Sequence, residues 1–144
     1  MTPTFTANPP APLVAALLDA HGLPTEDLTA DMLPDFVVAE TAGTPCGVVG
    51  LQRAGDVALL RSLAVVHDAR GLGLGAALVA EAEARAAAAG VTALYLMTTD
   101  AAAFFARLGY APIPRAEAPA GIRATAQYST ICSSATLMRK PLSA

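Results

Sequence analysis

At 144 residues the chain has room for one hydrophobic core, so a single domain over residues 1–144 is expected; the 54% hydrophobic content is inflated by alanine and contains no run long enough to span a bilayer. The start MTPTFTANPP lacks the basic and apolar regions of a secretory signal, which makes the cytoplasm the expected compartment. The formal charge of −3 is unevenly spread: residues 1–52 carry six acids (Asp19, Glu26, Asp27, Asp31, Asp35, Glu40) and no Lys or Arg, and residues 53–144 carry nine Lys and Arg against six acids, too scattered for a nucleic-acid surface but suited to a small anionic ligand.

The first helix is read in PLVAALLDAHG. Pro12 suits its first turn, Leu13, Val14, Leu17 and Leu18 share the face that covers a sheet, and Gly22 stops it. Residues 23–34 have no clear period and are read as a loop or a short helix. The period then changes to that of strands in DFVVAE (35–40), CGVVGLQ (46–52) and DVALLRSLAV (56–65), with TAGTP and RAGD as hairpin turns, so three antiparallel strands follow in succession. Cys46 and Cys132 are far apart and lack CxxC spacing; they are read as small buried side chains, with no disulfide and no metal site.

After the third strand comes a glycine loop and a helix of about fifteen residues whose buried stripe is Leu78, Val79, Ala82 and Ala86, with Glu81 and Arg85 paired on the solvent side and Gly90 at its end. TALYLM (92–97) is the next strand, Asp100 is the expected N-cap of a helix AAAFFARL that stops at Gly109, and SATLMRK (134–140) is the last strand. The order β-α-β-β-β-α-β-α-β describes an α/β fold: a mixed central sheet with antiparallel strands first and a βαβ crossover in the middle.

The glycines of RGLGLGAAL let backbone N–H groups converge, and the helix start behind them adds a positive dipole end, a pairing suited to a pyrophosphate. Gly71, Gly73 and Ala76 also fit the GxGxxA dinucleotide fingerprint. However, His67-Asp68-Ala69-Arg70 intervene before the first glycine and three hairpin strands precede it, which argues against a nicotinamide site. A tight strand-to-helix turn without a ligand is the structural alternative.

With its neighbours, this loop carries a resemblance. LAVVHDARGLGLGAAL resembles motif A of the GCN5-related N-acetyltransferases (GNAT), the match being Arg70-Gly71-Leu72-Gly73-Leu74-Gly75, and AAAFFARLGY resembles that family's next motif. RSLAV, Thr98-Thr99, FFARLGY and IRATAQYSTICSSATLMRK together resemble a small branch named for its occurrence beside arsenic-resistance genes, although Cys132-Ser133 stands where that branch has Cys-Pro. The resemblance implies acetyl-CoA as cosubstrate, held at Arg70 and Gly71 and by the N–H groups of Leu72, Gly73, Leu74, Gly75 and Ala76. Its pantetheine arm would pair with the backbone of Leu63, Ala64 and Val65, and Thr98 stands where relatives often carry an Asn that touches that arm, the alternative being that it only ends the strand before Asp100. A backbone N–H at Leu63 would polarise the thioester as an amine attacks directly. Phe105 stands where relatives often carry a proton-donating Tyr, so Tyr110, Tyr128, Cys132 or solvent is left to protonate the thiolate.

For the substrate, Arg61 is expected on the same strand face as Leu63 and Val65, with a choice between a substrate anion and a salt bridge to Glu40. Arg123 is the second candidate, on a short helix IRATAQY over the site. Two functions are then weighed: an N-acetyltransferase for a small, anionic, amino-acid-like or arsenical amine, and a CoA-binding sensor or partner module without chemistry. SATLMRK as an exposed last strand suggests a homodimer.

Overall fold

Proline sets where the first helix starts, because a residue without an N–H costs nothing in a first turn. Pro12 occupies that place in α1 (Ala11–Asp19), which buries Val14 and Leu18 and half-buries Leu13 and Leu17. The computed structural model describes residues 3–66, 73–131 and 134–142. They fall into two compact units: Met1–Gln52 with Arg61–Ala84, and Arg53–Leu60 with Arg85–Ala144.

In the first unit, β1 (Thr4–Ala7) lies antiparallel to β2 (Phe36–Thr41), and β2 antiparallel to β3 (Thr44–Ala54). Ala42 and Gly43, with φ of 53° and 79°, form the two-residue β2–β3 turn; two left-handed residues match the twist of the strands they join. Residues 23–34 end in a 3-10 turn, Ala30–Asp35. α1 packs Val14 and Leu18 on Phe36, Val38, Val48 and Ala64. Gly50 pairs with Phe36 across the ladder, and a Cβ there would run into the Phe36 ring, so the glycine yields its space to the aromatic. Ala64 lies on β4 (Val57–Val65), whose second half completes this unit with the start of α2 (Leu74–Ala88). α2 buries the expected stripe Leu78, Val79, Ala82 and Ala86. It approaches β3 closely at Gly47, where an added Cβ would lie 2.8 Å from Leu78 Cδ1 and 3.1 Å from the Ala64 carbonyl oxygen.

In the second unit, β4 runs parallel to β5 (Ala93–Thr98) through three pairs, Val57↔Ala93, Ala58↔Leu94 and Leu59↔Tyr95, which closes the β4–α2–β5 crossover. α3 (Ala102–Arg107), β6 (Ala111–Pro112), a 3-10 turn Arg115–Glu117, α4 (Ala120–Arg123), a π-helix Gln127–Ile131 and β7 (Thr136–Pro141) follow. Leu59, Ala93, Tyr95, Ala118, Ile122 and Leu137 form its core. The strand order of the sheet is β1-β2-β3-β4-β5-β7-β6.

Three expectations are corrected. β7 is not an exposed last strand: it pairs with β5 on one side and, at Met138 and Arg139, with β6 on the other. Asp100 does not cap α3; the Thr98 hydroxyl accepts the Ala101 N–H at 2.9 Å instead. IRATAQY is not one short helix, since α4 ends at Arg123 and a π-helix begins at Gln127. Among the described residues no helix is long and apolar enough to cross a membrane.

Candidate active site

The second half of β4 departs from regular strand geometry. Ser62 has φ of 61°, a left-handed conformation that a side chain rarely adopts inside a strand. The two-residue alternation that placed Arg61 and Leu63 on one face does not carry across such a residue. Past it the strand is regular again: Val66 N–H donates to the Cys46 carbonyl on β3 at 2.9 Å. Because successive residues of a strand turn their polar groups to opposite sides, the N–H and C=O of Val65 point away from β3.

Arg61 is buried, with a fully covered side chain. Nη1 donates to Asp27 Oδ2 at 2.6 Å and Nη2 to Asp27 Oδ1 at 2.7 Å, a bidentate fork. Nη1 also reaches Gln52 Oε1 at 3.0 Å, and Nε donates to Ser62 Oγ at 3.1 Å. The partner is therefore Asp27 and not Glu40, which pairs with Thr4 across the β1–β2 ladder. Asp27 holds the position considered for a substrate anion. His21 sits between two carbonyls of the same unit, with Nδ1 2.7 Å from Leu17 O and Nε2 2.9 Å from Val65 O. Sequence reasoning missed Asp27, Gln52 and His21 as partners, since nothing in their spacing, 34, 9 and 44 residues from the groups they bind, marks them.

α2 supplies the second part of the site. The N–H groups of its first turn, Leu74, Gly75 and Ala76, have no acceptor within the helix, and fifteen aligned residues give that end a positive dipole. Gly73, with φ of 78°, precedes them, and a Cβ built on it meets none of the described residues within 4 Å. Backbone donors at an open helix start, together with the strand backbone at Leu63–Val65, fit a diphosphate followed by a chain of amides. Arg70, Gly71 and Leu72, expected in the same cradle, lie outside the described residues.

The remaining candidates lie on the second unit, apart from Cys132, which is outside the described residues. Thr98 is buried, and its hydroxyl is the acceptor for Ala101. Phe105 is 7% exposed and packs edge-to-face on Phe104 and Tyr110, with centroids 5.0 and 5.8 Å away. The Tyr128 hydroxyl donates to the Arg115 carbonyl at 3.0 Å. Arg115 returns the contact: Nη2 donates to Tyr128 O at 2.8 Å, Nη1 to Ala135 O at 2.9 Å, and the guanidinium lies 4.4 Å from the Tyr128 ring centroid. Arg123 is exposed, with no partner among the described residues. The same residues hold no cluster of metal-ligating side chains.

A helix start with a glycine turn and a strand with an irregular residue are shared by many α/β proteins; the family match decides between them. The family model of the acetyltransferase (GNAT) domain matches residues 34–112, more than half of the chain, from the start of the β2 region to β6. The chain belongs to the GNAT acetyltransferase family. Solved structures share the fold of this GNAT domain. N-acetylglutamate synthase from Neisseria gonorrhoeae, complexed with coenzyme A and N-acetyl-glutamate, superposes with a TM-score of 0.86 at 20% identity, over 100% of this chain and 36% of that one. A Mycobacterium tuberculosis protein in complex with CoA gives 0.81 at 19% identity, over 99% and 100% of the two chains. The ribosomal-protein-S18-alanine N-acetyltransferase from Escherichia coli gives 0.73 at 21% identity, over 99% and 96%. This chain thus spans about a third of the length of N-acetylglutamate synthase, with 36% covered. No curated protein shows a significant sequence match. GNAT enzymes are acyltransferases with acetyl-CoA as cosubstrate, and coenzyme A is present in the first two of these structures. The comparisons support the family and do not support the narrower arsenic-associated branch.

Proposed function

We propose that this GNAT domain transfers the acetyl group of acetyl-CoA to the amine of a small molecule that carries an anionic group, by direct attack and without a covalent enzyme intermediate. The observation that carries the reading is the pairing, in one unit, of an open helix start at Gly73–Ala76 with the irregular strand Arg61–Val65. Acetyl-CoA supplies an activated acyl group on a thiol leaving group. The helix start and Gly73 bind its phosphates through backbone N–H groups, and the β4 backbone orients the arm and offers an N–H at Leu63 to the carbonyl that gains negative charge.

An alkylamine near pKa 10 sheds a proton before attacking, and the departing thiolate gains one, helped by a thiol pKa of about 8.5. Tyr128, Tyr110, Cys132 and solvent are the candidate donors in this proposal. Tyr128 has to release its bond to the Arg115 carbonyl to serve. Thr98 remains a proposed cofactor contact. Arg123 is the proposed reader of the substrate anion, since Arg61 is engaged by Asp27. The solved complex of N-acetylglutamate synthase with N-acetyl-glutamate supports an acceptor of amino-acid type. A single domain in the cytoplasm belongs to the same reading. The homodimer first suggested loses the exposed edge that motivated it, because β6 covers part of β7; light scattering decides it.

The test is thiol release from acetyl-CoA over a panel of amino acids, uncharged amines and pentavalent arsenicals. Release with anionic amines above all others is the expected result. Coenzyme A binding without release on any amine would favour the second reading, a CoA-binding sensor, for which Phe105 in the proton-donor position is the one supporting observation. Gly73→Asp tests the helix start: a carboxylate there repels the diphosphate, so CoA affinity measured by calorimetry on folded protein should fall at least a hundredfold, while the left-handed backbone at Gly73, with φ of 78°, adds a strain of about 1–2 kcal/mol that a thermal melt reads separately. Unchanged affinity would remove the helix start from the site.

A further inference from the structure

We infer that the segment from His21 to Asp27 is a two-point clasp on β4, and that Asp27, Arg61 and His21 are positioning residues which hold the Leu63 backbone in the geometry that acetyl transfer needs. The inference rests on the acetyltransferase reading, and its observations lie within one unit.

The first fastening acts before Leu63. Ser62 holds a left-handed backbone that serine adopts only when its surroundings impose it. Arg61, the residue before it, supplies that constraint: its guanidinium is forked onto Asp27, donates to Gln52 on β3, and places Nε on the Ser62 hydroxyl at 3.1 Å. Asp27, on the segment after α1, is half-buried, with its carboxylate side chain 8% exposed, so the pair is shielded from water and its geometry is well defined.

The second fastening acts after Leu63. His21, just past the end of α1, places Nε2 2.9 Å from the carbonyl of Val65, the group turned away from β3, and Nδ1 2.7 Å from Leu17 O in the last turns of the helix. A ring with both nitrogens protonated donates to both carbonyls; a ring with one N–H donates to one. In either form His21 stands between α1 and the end of the strand. The two fastenings meet β4 at residues 61 and 65, two residues on either side of Leu63, and both come from the seven-residue segment His21–Asp27. A purely stabilising pair has no need to bracket one peptide, whereas a backbone donor that must meet a developing oxyanion gains from being fixed on both sides.

The test compares Asp27→Asn, Arg61→Lys, His21→Gln and His21→Leu with Glu26→Gln, an exposed acid on the same segment, as control. Turnover, the substrate constant for the amine, CoA affinity by calorimetry and amide hydrogen exchange at Ser62–Val65 are measured on folded protein. Asp27→Asn and Arg61→Lys should lower kcat at least tenfold and speed exchange at these amides at least tenfold, with CoA affinity and the amine KM within threefold of wild type. Lysine should fail because an ammonium cannot make the fork. His21→Gln should retain more turnover than His21→Leu, since an amide can still donate to Val65 O. A selective rise in the amine KM of Arg61→Lys with kcat unchanged would overturn the inference in favour of Arg61 as the substrate reader. Unchanged exchange at Ser62–Val65 would overturn it whatever the activity. If wild-type protein transfers acetyl to no amine, the acetyltransferase reading falls, and exchange at the four amides still judges the clasp.

Discussion

Each unit contains one arginine that gathers several elements, and the two are satisfied in different ways. Arg61 is completely covered and takes its partners from side chains, one of them a carboxylate bound through both oxygens. Arg115 is half-buried and takes its partners from backbone carbonyls, Tyr128 O and Ala135 O, with the Tyr128 ring beneath it. The first is an ion pair whose two charges depend on each other. The second spreads its donors over backbone carbonyls and a ring and is half-buried. Removing Arg61 leaves the opposite charge of Asp27 behind in a dry place.

The largest expected effect follows from that difference. Arg61→Met should cost about 3–5 kcal/mol in denaturant unfolding, because Asp27 is left uncompensated. Adding Asp27→Leu should recover most of the loss by replacing the pair with apolar groups. If the double variant is no more stable than the single one, the charge left behind is not the cause. Next in size is Arg115→Ala, expected to cost about 2 kcal/mol through the loss of its bonds to the Tyr128 and Ala135 carbonyls. A cost equal to that of Arg61→Met would erase the distinction drawn between the two arginines. Tyr128→Phe removes only the bond to the Arg115 carbonyl and should cost about 0.5–1.5 kcal/mol, with turnover nearly unchanged unless Tyr128 is the proton donor. A tenfold loss of kcat at small cost in stability would assign it that role. The smallest change is Phe105→Tyr, where turnover should not fall, and the steady-state rate checks it. A fall with stability intact would give the packed ring against Phe104 and Tyr110 a part in the site.

The two regions also differ in how legible they were. The stripe Leu78, Val79, Ala82 and Ala86 was read correctly because burial on a long helix repeats at helical spacing and needs no knowledge of what covers it. Arg61 was singled out as a charge in an apolar strand, with a substrate anion and Glu40 weighed as its partner, and neither is Asp27. The substrate side was read from strand alternation with Leu63 and Val65, and the left-handed Ser62 breaks alternation without any signal in its residue type, since glycine is the usual mark of such a turn. Asp100 was chosen as a cap for its type and place, whereas Thr98 does the work from three residues before Ala101.

Length and periodicity, which act over a few neighbouring residues, were enough for the order of the longer elements and the crossover helix. The resemblance carried by Arg70–Gly75 and AAAFFARLGY pointed to the family, whereas the short β6 was not among the expected elements. Local hydrogen bonding and side-chain burial within one helix or strand are set by neighbours in the chain, and those are written in order. The sheet order was another matter, as was the identity of each long-range partner. That β7 inserts between β5 and β6, that Asp27 and His21 reach Arg61 and Val65 from 34 and 44 residues away, and that Arg115 and Tyr128 hold each other were decided only when the chain closed on itself. Several carboxylates could have neutralised Arg61, and among the described residues packing, which depends on every element at once, brings Asp27 to its side.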